Sequence, residues 1–240
     1  MVRKEPKSFS RAGFSSKKDS TMIDFAETRK AMVEGQLRTS GVLSARVLKA
    51  MGSVPREEFL DEGRKAIAYL DMDHRLEGAV GRYMASPVVL GKMIELAEIE
   101  QDDIVLDVAC GTGYSTAVIA HLANSVVAIE TDEAMVAQAN QILAGLDIGN
   151  AAVIKASLKK GAPAEAPFDV VIIEGAVGIV PQALFDQLRV GGRLVALYGD
   201  GASATAVLHI KGEGEIARVE AFNASLPPLT ELFPEPAFSL

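Results

Sequence analysis

The chain has 240 residues, a formal net charge of -8 and a single cysteine, Cys110. One cysteine excludes an intramolecular disulfide, and an acidic balance argues against nucleic acid as a partner, because phosphate binding relies on clustered Lys and Arg. No apolar run approaches the ~18 residues of a membrane span, and the basic N-terminus lacks the apolar core of a signal peptide; the expectation is a cytoplasmic protein without a membrane partner.

Residues 1–21 are rich in Ser, Lys and Arg with almost no periodic apolar positions, which reads as a loose tail, and Met22 is a candidate natural start. Residues 22–240 read as one domain. Its first part, residues 22–90, is helical at the outset: Phe25, Met32, Val33 and Leu37 recur at three- and four-residue intervals, then Val42, Val47, Leu48 and Met51, with Gly41 and Pro55 as punctuation. From Ile104 strands alternate with helices: IVLDVA, a helix from about Tyr114 to Leu122, SVVAIE, a helix from about Asp132 to Leu143, AAVIKAS, FDVVIIEG, a helix from about Pro181 to Leu188, and RLVALYG. Such alternation implies an α/β fold with parallel strands, because parallel neighbours need crossover connections. Near-continuous apolar strands fit burial on both faces. AVLHIKG and EIARVEAFNA read as two further strands joined at Gly212 to Gly214.

LDVACGTGY stands where the first parallel strand meets a helix, and in open α/β sheets ligands bind beyond the carboxyl ends of the strands. Gly111 and Gly113 allow a tight turn and close backbone approach. Glu130 ends SVVAIE, 23 residues after Asp107, near the ~20-residue spacing at which an acid accepts from ribose hydroxyls. The bland alternatives are a structural turn and a solvated strand-end glutamate. A dinucleotide fingerprint would put a third glycine at position 116, where this chain has Thr116, and Asp107 beside the loop would repel a pyrophosphate. A ligand carrying an ammonium and a sulfonium is attracted instead, so S-adenosyl-L-methionine fits better than NAD. No metal-ligand spacing is present. Cys110 reads as a small filler, and of the three histidines only His74, in the loop after AYLD, lies near the expected site.

Over most of its length the chain resembles the protein-L-isoaspartate O-methyltransferase family. The resemblance is carried by VPREEF, AYLD, VLDVACGTGYSTAVIA, FDVVIIEGA, QLRVGGRLV and PPLT in that order. It implies a Rossmann-like, doubly wound, seven-stranded, mostly parallel sheet with an antiparallel last strand, preceded by helices on the substrate side. The sheet of residues 91–240 would bind the cofactor. It implies Asp107, Ala109, Gly111 and Gly113 around the methionine end of S-adenosyl-L-methionine, Glu130 at the ribose and Thr230 near the cofactor. Ala109 stands where a glycine is usual. Ser157 stands where relatives place an aspartate at the adenine.

The implied activity is methylation of the free carboxylate of isoaspartyl residues for protein repair. Relatives carry a Thr-Ile-Ser-x-Pro loop, and the matching run here is Tyr83-Met84-Ala85-Ser86-Pro87, with Ala85 at the serine position. Candidate catalytic residues are Arg82, Tyr83, Ser86 and Glu174. Arg82 could pair with Glu174 or hold an anionic acceptor through its planar guanidinium. Methyl transfer needs alignment and exclusion of water rather than a covalent nucleophile, so no triad is required. Two alternatives stay open: a small hydroxyl or amine acceptor, and a cofactor-binding protein without turnover.

Overall fold

A computed structural model describes residues 23–78 and 81–234. The tail expected at residues 1–21, the candidate start Met22 and the last six residues lie outside them. Helix α1 (Phe25–Met32) starts at Asp24, whose carboxylate accepts from the amides of Ala26 and Glu27 at 3.0 and 3.1 Å, satisfying two of the donors a helix start leaves open. It continues through a wider turn at Val33–Leu37 and a tighter one at Arg38–Ser40, and stops at Gly41, which adopts the left-handed conformation. Helix α2 (Ala45–Ser53) follows, with Ser44 as its cap. Short turns at Arg56–Phe59 and Lys65–Ile67 lead to a small antiparallel hairpin of β1 (His74–Arg75) and β2 (Tyr83–Met84).

After α3 (Pro87–Ala97) the chain alternates as its sequence pattern requires: β3 (Ile104–Val108), α4 (Tyr114–Ala120), β4 (Ser125–Glu130), α5 (Glu133–Gly145), β5 (Ala151–Lys155), β6 (Phe168–Val177), α6 (Gln182–Asp186), β7 (Leu188–Gly199), β8 (Ala204–Lys211) and β9 (Ile216–Ala224). These seven strands form one sheet in the order β5-β4-β3-β6-β7-β8-β9. The first five are mutually parallel; β8 runs antiparallel to β7, and β9 antiparallel to β8. This is the doubly wound, mostly parallel α/β sheet expected, with antiparallel pairings at its last strands. Two boundaries shift. The last crossover helix is a five-residue turn, and β7 starts at Leu188, five residues before the RLVALYG run, taking in Gly191 at φ 80°.

Strand β6 is buried along all ten of its residues, and each fully buried Val or Ile contributes roughly 1.5–3 kcal/mol. Its two faces feed two cores. One, under α2 to α5, includes Val105, Val170 and Ile172; the other, under α6 and the C-terminal turn, includes Leu106, Val108, Val171 and Ile173. Successive strand residues point to opposite faces, so Asp107 shares the side of Val105, beneath α4. Strand order reverses at β3, the position at which doubly wound sheets open a crevice at the strands' carboxyl ends.

Candidate active site

The β3–α4 loop runs from Ala109 to Gly113. Ala109, Gly111 and Gly113 all have positive φ, at 65°, 57° and 92°. Ala109 therefore adopts a conformation that costs an alanine energy and a glycine none. Its amide donates to the Ile129 carbonyl at 2.9 Å, tying the loop to the end of β4. A Cβ on Gly111 would lie 2.4 Å from Cδ1 of Leu76; the residue after β1 thus rests directly on the loop.

Asp107 is fully buried. One of its oxygens accepts from Ser115 Oγ at 2.7 Å and Thr116 Oγ1 at 2.6 Å, while Oδ1 is buried with no partner. Thr116, which replaces the third glycine of a dinucleotide fingerprint, therefore serves as a donor to the acid. Burial pushes the Asp107 carboxyl up to about 6, against the pull of the two hydroxyls. Cys110 is buried and its thiol is pushed far up by burial and by the neighbouring carboxylates, which fits a packing role rather than a reactive one.

Glu130, at the end of β4, is fully buried and densely bonded. It accepts from Arg82 Nε at 3.0 and 2.9 Å, from the Gly111 amide at 3.2 Å, and from the Thr131 amide at 2.7 Å. Arg82 in turn donates through Nη2 to Glu231 at 2.7 Å and to Thr131 at 3.1 Å. This corrects the expected pairing of Arg82 with Glu174: the hairpin aims the guanidinium at Glu130 on the end of β4, where two carboxylates compensate its burial.

Glu174, on β6, is nearly buried, and its Oε1 has no partner. Burial and the charge of Asp107 raise its carboxyl well above the usual range, with Arg56 pulling the other way. Tyr83 and Glu174 line one small cavity together with Ala85, Tyr114 and Ser115. Ser86 does not face it as a reacting group. Its Oγ accepts from the Val89 amide as the cap of α3, with Pro87 at the first helical position. Ser157 is exposed and its carbonyl accepts from the amides of Lys160 and Gly161; Thr230 is exposed at the start of the short turn Thr230–Leu232. His74 is buried, with Nε2 unpartnered.

Arg56, Tyr114, Leu76 and Glu231 were not singled out from the sequence. Only Arg56 and Tyr114 carried a signal, since both lie inside the runs VPREEF and GTGYSTAVIA. Arg56 is fully buried, donates to the carbonyls of Ala68 and Ala85 at 2.8 and 2.5 Å, and stacks 4.6 Å from the centroid of the Tyr114 ring.

A buried, unpartnered carboxylate oxygen beside a loop of left-handed backbone suits a ligand with a cationic end. The acid 23 residues on, Glu130, is an acceptor of the kind that hydroxyl donors use. The residues thus fit S-adenosyl-L-methionine. Among the described residues no cluster of His, Cys, Asp or Glu is arranged to hold a metal ion, and no helix is long and apolar enough to cross a membrane.

Residues 27–231 match the family described as protein-L-isoaspartate(D-aspartate) O-methyltransferase. The chain is 38% identical over 187 residues to protein-L-isoaspartate O-methyltransferase 1 of Syntrophobacter fumaroxidans, covering 78% of this chain and 86% of that one. It is 36% identical over 208 residues to the protein-L-isoaspartate O-methyltransferase of Koribacter versatilis, covering 87% and 93%. Among solved structures, a protein-L-isoaspartate O-methyltransferase aligns with a TM-score of 0.75 at 24% identity, over 83% of this chain and 65% of that longer one. A second, from Plasmodium falciparum in complex with S-adenosyl-L-homocysteine, aligns with a TM-score of 0.72 at 19% identity over 85% and 98%. At these identities the two structures carry the fold.

Proposed function

Because this chain belongs to the protein-L-isoaspartate(D-aspartate) O-methyltransferase family, we propose that it is an S-adenosyl-L-methionine-dependent enzyme that esterifies the free carboxylate of isoaspartyl residues in proteins. The observation that carries the reading is Asp107, a fully buried acid with one unpartnered oxygen at the mouth of β3. Protein repair in the cytoplasm is the role in which such chemistry makes sense.

S-adenosyl-L-methionine supplies an electrophilic methyl group when bound. Asp107 would meet its cationic methionine end, Ala109, Gly111 and Gly113 would give backbone approach, and Glu130 would accept from the ribose hydroxyls. Ser157 and Thr230, both exposed, would be the contacts on the adenine side. The acceptor carboxylate, ordinarily ionised at neutral pH, needs no base. The protein's part is to align it and exclude water, which the apolar hairpin residues Leu76 and Met84, both buried, are placed to do.

The test is incubation of the full chain with methyl-labelled cofactor and an isoaspartyl peptide, with the normal aspartyl peptide in parallel. Base-labile methyl ester on the isoaspartyl peptide alone is expected; no ester on either overturns the proposal.

A further inference from the structure

On the acceptor side of the loop, Tyr114 Oη, Glu174 Oε1 and Arg56 Nη1 are each buried without a well-formed hydrogen bond, although Tyr114 and Arg56 lie close enough to interact. Leaving such an atom unsatisfied is costly enough that native proteins show few, and a cluster of them calls for an explanation. Tyr114 is 1% and Glu174 8% exposed. Both line a cavity together with Tyr83 and Ala85. Arg56 sits behind them, stacked on the Tyr114 ring and bonded to the Ala85 carbonyl.

Ala85 stands at the serine position of the loop that the resemblance implies, and its methyl group offers no hydrogen-bond donor. An isoaspartyl carboxylate held at this wall must find its donors elsewhere. We propose that the Tyr114 hydroxyl and the Glu174 carboxyl bind the reacting carboxylate of the acceptor, replacing the donor that Ala85 cannot provide, and that Arg56 is the positioning residue behind them. This rests on the isoaspartyl reading given above.

Charge supports the geometry. Burial and Asp107 raise the Glu174 carboxyl well above its ordinary range, which favours the protonated form that can donate, and the Arg56 guanidinium, though it pulls the other way on Glu174, adds positive potential on the same side. The cavity measures ≈ 10 Å³, room for about one water. A carboxylate therefore enters by moving the Tyr83 side of the wall, which belongs to the two-rung hairpin, and not the sheet side, which is fixed by β3 and β6.

Two variant series in the full chain test this, each with a second readout that isolates the cofactor. Tyr114→Phe keeps the ring on Arg56 and removes only the hydroxyl. It is expected to raise KM for the isoaspartyl peptide about ten-fold, with the Kd for S-adenosyl-L-homocysteine by calorimetry changed by less than about two-fold. Ala85→Ser in the Tyr114→Phe background is expected to recover most of that loss. Glu174→Ala should raise the peptide KM to a similar degree, whereas Glu174→Gln, which keeps a donor, should stay within about three-fold. An active wild type whose peptide KM is unmoved by both Tyr114→Phe and Glu174→Ala overturns the assignment while leaving the family activity standing. A wild type that binds S-adenosyl-L-homocysteine but forms no isoaspartyl ester overturns both.

Discussion

Arg82 holds both carboxylate oxygens of Glu130 through a single Nε, at 3.0 and 2.9 Å, while its Nη2 reaches Glu231 at 2.7 Å. The acid proposed to receive ribose hydroxyls is thus already bonded to an internal cation, and on that reading a nucleoside competes with it. Glu231, 38% exposed at its side chain, offers the released guanidinium a second carboxylate nearby.

Arg82→Gln is therefore expected to have opposite effects on the protein alone and on its complex. Glu130 loses its buried counter-charge, which costs on the order of 3 kcal/mol and lowers the melting temperature. The competitor for the ribose site is also gone, so the affinity for S-adenosyl-L-homocysteine rises several-fold and the melting shift produced by that ligand exceeds the wild-type shift. Calorimetry and thermal unfolding on the same sample check both signs; unchanged or weaker binding would show that Arg82 and the ribose do not compete.

Asp107 makes ligand affinity depend on pH. Its carboxyl is raised by burial to about 6, and an ammonium prefers the ionised form. Affinity for S-adenosyl-L-homocysteine should climb as pH rises through about 6 and level off above it. The sign for folding is the reverse: with the native value above the ordinary 3.8, the stability this group contributes is lost as pH rises from 3.8 through about 6. Asp107→Asn should remove the dependence between pH 5 and 8 and weaken binding about ten-fold or more.

His74 contributes a second, separate slope. Burial, with Arg56 and Arg64 nearby, lowers its imidazole from 6.5 to about 4. The unfolded chain takes up the proton first, so stability present above pH 6.5 is lost as pH falls toward about 4. Urea midpoints at pH 7, 6 and 5 should fall in the wild type and fall less steeply in His74→Gln.

The glycine loop and its acid were readable in the sequence because both depend on local rules. A strand of period two places Asp107, and an apolar strand ending in an acid places Glu130 at the usual distance. Arg82 was visible as a candidate but not its partner, since 48 residues separate it from Glu130 and 149 from Glu231, and no periodicity links them. Ser86 stands among the candidate catalytic residues although Ser-Pro ahead of an apolar helix already spells a cap and a first-turn proline. The early start of β7 was hidden by the paired glycines at 191 and 192, which look like a turn; Gly191 takes the positive φ of an irregular strand and the pairing with β6 shifts around it.

Gly111→Ala separates two costs at the loop. The new Cβ meets Leu76 at 2.4 Å, and φ of 57° strains any residue with a side chain. A loss of about 1–3 kcal/mol is expected, with weaker ligand binding. Adding Leu76→Ala should return the part due to the clash and leave the backbone part, which chemical denaturation of the single and double variants can resolve.

The β1–β2 hairpin is held by two residue pairs, His74 with Met84 and Arg75 with Tyr83, and by the Leu76 amide donating to Arg82. Yet it carries Leu76 over the loop, Arg82 against Glu130 and Tyr83 at the acceptor wall. So short a ladder is weak in itself, and Arg82 on Glu130 is the main tie the hairpin must release to open. Its amides should exchange with deuterium far sooner than those of β6, and donor and acceptor would then pass through one shared doorway, so their arrival and departure should follow a compulsory order in steady-state kinetics.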